Sequence, residues 1–233
     1  MAARADIGQP TDDAIALGKD RREEILATAA HLFCKRGYRS TSLQHIADVI
    51  GFTKQAIYYY FESKDQILFE IMSRTIRAGI ERVRTIQREE SKPSNALRRA
   101  LAEHVNTVLT HLEVNVVFNR EHEFLSPQRS EIIKGQQREY NLMIRQIYCD
   151  GISSGDFRGI DPTVAVNTML VACNSAYLWY KPAGCLTVDE IAGTIIDLLA
   201  SGFLAPDAKA SEPAAGRARP FAASMRDSAA THS

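Results

Sequence analysis

TSLQHIADVIGFTKQAIYYYFESK, residues 41–64 of a 233-residue chain, is the stretch on which the fold turns. Leu43, Ile46, Ala47 and Ile50 recur at the spacing of one helical face, and Gly51 follows where a left-handed residue ends a helix. Thr41 or Ser42 can cap that helix, because either hydroxyl accepts a backbone N–H of the first turn, and Thr41 with Gln44 would make a capping box. Thr53 caps a second helix over residues 54–59. Two short helices joined by Gly51-Phe52-Thr53 have the form of a helix-turn-helix. Phe52, Ile57 and Phe61 are the apolar residues that pin the second helix down, with Tyr60 expected to pack, which leaves Lys54, Gln55, Tyr58 and Tyr59 outward.

Those outward residue types suit double-stranded DNA. Lys and Gln at the N-terminal end of an exposed helix reach acceptors and donors on base edges in the major groove. Tyr58 and Tyr59 offer hydroxyls to phosphates or rings to thymine methyl groups. Lys64, Thr41 and Ser42 stand at helix starts, where backbone N–H groups favour a phosphate. Charge is a weaker witness: the chain balances 28 basic against 28 acidic side chains, and residues 19–65 carry a basic excess of only two. A module so weakly basic is expected to hold DNA only as part of a dimer.

Outward from this stretch the pattern stays helical, and no alternation is long enough for a sheet. Ile25, Leu26, Ala29, Leu32 and Phe33 form one face of a preceding helix that ends at Gly37. Ser63 opens a long helix whose apolar positions Ile67, Leu68, Ile71, Met72, Ile76, Ile80 and Val83 hold phase until Ser91-Lys92-Pro93 breaks it, a strut between two domains. Another helix starts at Ser94 or Asn95, and further helical stretches are expected around residues 114–124, 129–152, 162–180 and 188–204. Residues 1–18 and 205–233 are too poor in large apolar side chains to offset their ordering entropy and are expected to be disordered tails.

Several function classes drop out. No apolar run approaches the roughly 20 residues of a membrane span, and no secretory h-region is visible, so a cytoplasmic location is expected. Cys34, Cys149, Cys173 and Cys185 lie 115, 24 and 12 residues apart, which matches no metal-ligand spacing, so no metal or cofactor is expected. No catalytic spacing, HExxH or phosphate-cradling glycine loop occurs, which argues against an enzyme. A helical adaptor that does not bind DNA is the other rival, and the phased helix-turn-helix argues against it.

Residues 21–68 resemble the N-terminal DNA-binding domain of the TetR family of bacterial transcriptional regulators. The resemblance is carried by Ile25-Leu26, Ala29-Ala30, Leu32-Phe33, Gly37, then Thr41 to Ala47, Gly51 to Phe61 and Ser63-Lys64, all in register. It implies an all-α protein: a three-helix DNA-binding domain over 19–66, joined by the long helix to a ligand-binding and dimerisation domain over 67–204. The DNA-facing residues it implies are Thr41, Ser42, Gln44, Thr53, Lys54, Gln55, Tyr58, Tyr59 and Lys64. One departure is His45, where the family usually has an acidic residue; with Ser42 as the cap, the reciprocal arm of its capping box is then expected to be missing.

The second domain resembles a narrower group within that family, through Asn174, Tyr177, Trp179 to Gly184 and Leu186 to Ala192, although Ser175 stands where an aromatic residue is frequent and Ala183 replaces a glycine. Members of that group commonly repress fatty-acid, steroid or aromatic-acid degradation and respond to acyl-CoA thioesters. The resemblance therefore implies a repressor released from operator DNA by a small hydrophobic effector, an acyl-CoA first, with a drug-responsive repressor of efflux genes as the alternative. Candidate pocket residues on the central helices are Phe118, Arg120, His122, Glu123, Phe124, Arg138, Tyr140, Asn141 and Arg145, joined by Asn174, Tyr177 and Trp179; Arg120, Arg138 and Arg145 are the candidates to meet CoA phosphates. Ile191, Ile195, Leu198 and Leu199 form a stripe on the last helix that is expected to seal a homodimer.

Overall fold

The computed structural model describes residues 12–204, with side chains from residue 20 onward. Among the described residues there are nine α-helices: α1 (Asp12–Arg36), α2 (Leu43–Ile50), α3 (Lys54–Tyr60), α4 (Lys64–Glu89), α5 (Pro93–Thr110), α6 (Leu112–Glu121), α7 (Pro127–Ser153), α8 (Pro162–Ser175) and α9 (Val188–Phe203). Short 3₁₀ turns follow α6 (His122–Phe124) and α8 (Ala176–Leu178). The only β pairing among the described residues is an isolated antiparallel bridge between Phe157 and Leu204. Helix α1 starts inside the stretch expected to be an unstructured tail; residues 1–11 and 205–233 lie outside the described residues.

Local chemistry sets the first boundaries. Gly51 ends α2 with φ +70°, and Gly37 turns the chain after α1 with φ +81°, both left-handed positions at which a side chain is strained. Ser42 is the N-cap of α2: its Oγ accepts the His45 N–H at 3.1 Å. The missing capping box proves to be present, because His45 Nδ1 takes the place of a carboxylate and accepts the Ser42 N–H at 3.2 Å. Either cap is worth about 1 kcal/mol. Thr53 caps α3 and Ser63 caps α4 in the same way.

Two cores form. The first gathers Ile25, Ala29, Leu32 and Phe33 of α1, Leu43, Ile46 and Ala47 of α2, Ile57 of α3 and Phe61, and is closed by Ile67, Leu68, Ile71 and Met72 from the start of α4. Val117 of α6, Leu125, and Ile133 of α7 are buried in the same core, so helices remote in sequence complete this N-terminal head. The second core holds Val83 and Ile86 of α4 with α5, the distal half of α7, α8 and α9.

The junction between them is also polar. Asp65 accepts Arg129 Nη1 at 2.5 Å and the Ser126 N–H at 3.0 Å, while Tyr38 stacks on Phe124 with ring centroids 5.5 Å apart. Helix α8 stops five residues before the expected end at 180, and its 3₁₀ turn redirects the chain toward α9.

At the far end, Gly151 lets α7 receive the Phe157 ring, which stacks on Tyr148 and meets Phe203 edge-on. A Cβ at residue 151 would stand 2.1 Å from that ring. Gly151→Ala is therefore expected to cost about 1–3 kcal/mol and to lower the thermal midpoint by several degrees. Gly135→Ala in the same helix, where the nearest atom is an Arg138 nitrogen at 3.9 Å, is expected to leave the midpoint unchanged or raise it.

Candidate nucleic-acid interface and internal cavity

Helix α3 is held from beneath. Ile57 is fully buried, Phe61 lies under the Arg22 guanidinium at 4.3 Å, and Phe52 is half-buried beneath Arg21. Its outer face therefore presents Lys54, Gln55, Tyr58 and Tyr59, with Tyr59 84% exposed. Lys54 Nζ sits 5.8 Å from the Tyr58 ring, and the half-buried Tyr60 supports Tyr59 edge-on. Thr53, Ser42 and Gln44 are exposed beside this face, although Gln44 Nε2 already donates to Asp48 at 2.7 Å.

Two expected phosphate ligands are committed elsewhere. Thr41 is 1% exposed, and its hydroxyl donates to the carbonyls of Gly37 and Leu32 at the end of α1. It serves carbonyls in the last turns of that helix and just past its end, and is withdrawn from DNA. Lys64 turns back over the Tyr38 ring at 4.1 Å and donates to the carbonyls of Tyr38 and Thr41, each at 2.6 Å. Burial pushes its pKa down, opposed by the nearby Glu121 carboxylate. Lys64 thus braces the turn between α1 and α2, rather than standing outward. Burial, then the Asp65 charge, pushes the Tyr38 hydroxyl up to about 12, so the ring under this ammonium stays neutral.

A cavity of about 550 Å³ lies among α4, α5, α6, α7 and α8. Phe118, Arg138, Tyr140, Asn141 and Asn174 line it as expected. Arg145 lines an adjoining groove of about 230 Å³ that shares Arg138 and Asn141 with the cavity. The other expected pocket residues do not line it. Arg120 is exposed two residues past Phe118 on another face of α6, and the 3₁₀ turn carries His122 and Glu123 to the surface beside the head. Phe124 stacks on Tyr38 and joins the head's core; Tyr177, past the end of α8, packs on the second core, and Trp179 is 54% exposed.

His104 and Arg82 line the cavity and escaped the sequence reading. Their signal was present: His104 is one turn from the core residues Ala100 and Val108 of α5, and Arg82 adjoins Val83, so both border buried stripes. Tyr140 O–H donates to His104 Nδ1 at 2.9 Å, and His104 Nε2–H donates to Asn174 Oδ1 at 3.0 Å. Burial lowers the His104 pKa, against the favourable Asn174 bond, and the Arg82 charge adds to the lowering. Burial also raises that of Tyr140. The relay is neutral.

The α9 stripe splits. Ile191 is 6% exposed inside the protomer's own core and so is not available to a partner, and Ile195 and Leu199 are half-buried against that core. Leu198 is 72% exposed, and Val164, Val171 and Leu178, at seven-residue intervals along α8 and its 3₁₀ turn, are exposed too. The outward apolar surface therefore belongs to both helices.

A helical fold with an outward helix of a helix-turn-helix and an internal cavity among five helices defines a class of ligand-responsive DNA-binding regulators, and the comparisons agree. Residues 25–71 match the pattern of bacterial regulatory proteins of the tetR family, and residues 90–203 match a tetracyclin repressor-like C-terminal domain. A TetR/AcrR-family transcriptional regulator from Thermobifida fusca is 40% identical, over 78% of this chain and 98% of that one, with a TM-score of 0.64. The HTH-type transcriptional repressor KstR2 of Rhodococcus jostii is 26% identical over 84% of this chain and 97% of that protein. AibR, solved in complex with isovaleryl coenzyme A and operator DNA, is 29% identical over 76% and 97% respectively, with a TM-score of 0.69. The chain belongs to the TetR family of bacterial transcriptional regulators. It is a DNA-binding regulator rather than an enzyme, and no helix among the described residues is long and apolar enough to cross a membrane.

The relay has a pH signature. His104 binds a proton less readily in the folded protein than at its ordinary value of 6.5, so the stability it contributes is present above about pH 6.5 and is lost as pH falls toward the folded-state pKa. Thermal midpoints measured between pH 7.5 and 5 are expected to fall less steeply in His104→Gln than in the parent. Parallel profiles would contradict a depressed His104.

Proposed function

We propose that the protein is a repressor that grips its operator as a homodimer through α3 and releases it when a CoA thioester of a hydrophobic acid enters the cavity. The observation that carries this reading is the pair of walls the cavity shares with the head. Thr75 and Ile76 of α4 and Phe118 of α6 line or border it, and α4 and α6 also contribute Ile71, Met72 and Val117 to the head's core. A ligand pressing on those walls acts on the element that positions α3. Release follows only if the ligand binds the DNA-incompetent arrangement more tightly.

The thioester is favoured over a plain apolar drug by the cations at the rim. Lys134, Arg138 and Arg145 recur with Asn141 along one face of α7, at spacings of four, three and four residues, across the cavity and its side groove. A row of cations suits the phosphates of CoA while the apolar wall takes the acyl group. The isovaleryl-CoA complex of AibR supports the same choice of ligand class. Within this reading Lys54 and Gln55 read base edges, and Ser42, Thr53, Tyr58 and Tyr59 set the register on phosphates.

The test is a gel shift on DNA flanking the protein's own gene, titrated with acyl-CoAs, the corresponding free acids, CoA alone and cationic drugs. Thioesters are expected to release more than nine-tenths of the bound DNA, which takes a few kcal/mol of differential affinity. Release by free acids or drugs but by no thioester contradicts the CoA reading.

The dimer is tested separately. Leu198→Asp puts a charge in the exposed stripe of α9 and should give monomers in sedimentation with loss of specific DNA binding, because two recognition helices about 34 Å apart hold a palindrome that one weakly basic head cannot. A dimeric variant with intact affinity would place the interface elsewhere.

A further inference from the structure

The cavity wall holds a polar device that a hydrocarbon ligand would not need. Tyr140 of α7, His104 of α5 and Asn174 of α8 form a continuous relay, set among the core residues Val83, Ala100, Val108 and Leu170. Its place is prepared on the opposite helix as well. Gly79 of α4 faces the Tyr140 ring so closely that a Cβ there would stand 3.2 Å from Cε2. Three helices and a glycine thus cooperate to hold three half-buried polar groups on the cavity wall.

A device meant only for packing would close all its hydrogen bonds within the protein. This one does not. Asn174 Oδ1 accepts from His104, but Asn174 Nδ2 has no acceptor among the described residues, and the residue lines the cavity. The relay can also be turned over. If the amide rotates and the ring proton moves to Nδ1, Tyr140 becomes the acceptor, and its own proton and Asn174 Oδ1 are left to face the cavity. In either sense the wall offers a hydrogen-bond donor to whatever occupies the space, and in the second an acceptor too.

We propose that the effector carries a second oxygen, a carbonyl or hydroxyl on its hydrocarbon part, which docks on the His104–Tyr140–Asn174 relay. The ligand class is then an oxygenated hydrophobic acid, for example a keto acid, held as its thioester; a simple saturated acyl chain would leave the relay unanswered. The inference rests on the reading of the cavity as the effector site. Selectivity follows because a site built to hydrogen-bond a ligand oxygen penalises the analogue that lacks it.

Calorimetric titration of the full chain with matched pairs tests this: cyclohexanecarboxyl-CoA against 4-oxocyclohexanecarboxyl-CoA, and hexanoyl-CoA against 5-oxohexanoyl-CoA. The oxo member of at least one pair is expected to bind ten times more tightly or better, and Asn174→Leu to bring that ratio to within about twofold. Tyr140→Phe, which keeps the ring against Gly79, provides a second variant should Asn174→Leu fail to fold. Equal affinity within both pairs overturns the inference and leaves the effector reading standing. A preference that survives both substitutions overturns the assignment to the relay. Binding of no thioester at all overturns the effector reading and this inference with it.

Discussion

Helix α4 is built into two hydrophobic cores at once, and the rest of the structure depends on that. Its first three turns bury Ile67, Leu68, Ile71 and Met72 against the helix-turn-helix, while Val83 and Ile86 near its other end are buried among α5, α7 and α8. Between these lie Thr75, Ile76 and Gly79 on the cavity wall. A close-packed helix cannot shift at its middle without repacking one core or the other, since interiors at crystal-like density pass strain along instead of absorbing it. The cavity therefore sits where a small displacement is felt at α3.

The junction narrows the ways in which that displacement can occur. Asp65, at the N-terminus of α4, is fixed by the Arg129 guanidinium and the Ser126 N–H, and Lys64 beside it clamps the carbonyls of Tyr38 and Thr41. These are charge-assisted contacts in a partly buried setting, stronger than surface pairs such as Arg21 with Glu24. Removing one partner would leave a charge unanswered, so the head is expected to move with α4, α6 and the start of α7 as a unit. Polar contacts orient the junction, and Val117, Leu125 and Ile133 hold it together.

The head was legible in the sequence because its signals are local. Caps at Ser42, Thr53 and Ser63, a left-handed glycine at Gly51 and short apolar periods fix α2, α3 and the start of α4 within a few residues of the expected limits. What failed there was tertiary. Thr41 and Lys64 have the residue types of phosphate ligands, but their partners are carbonyls contributed by the end of α1 and the turn after it, which no local pattern encodes. His45 stands where capping boxes usually have a carboxylate, and its imidazole nitrogen accepts the same backbone N–H. In the second domain the pattern located helices but not their rotation. Phe118 faces the cavity and Arg120 does not, Ile191 is inside and Leu198 outside, and His104 turns into the cavity from a helix whose legible signal is aliphatic.

The claim that the head is completed by the second domain through α4, α6 and α7 is tested most directly by scanning calorimetry of the full chain at fixed concentration. The account expects one endotherm, with calorimetric and van't Hoff enthalpies in agreement, because neither core survives loss of the helix they share. Two resolved endotherms, with the head melting well before the rest, would contradict it.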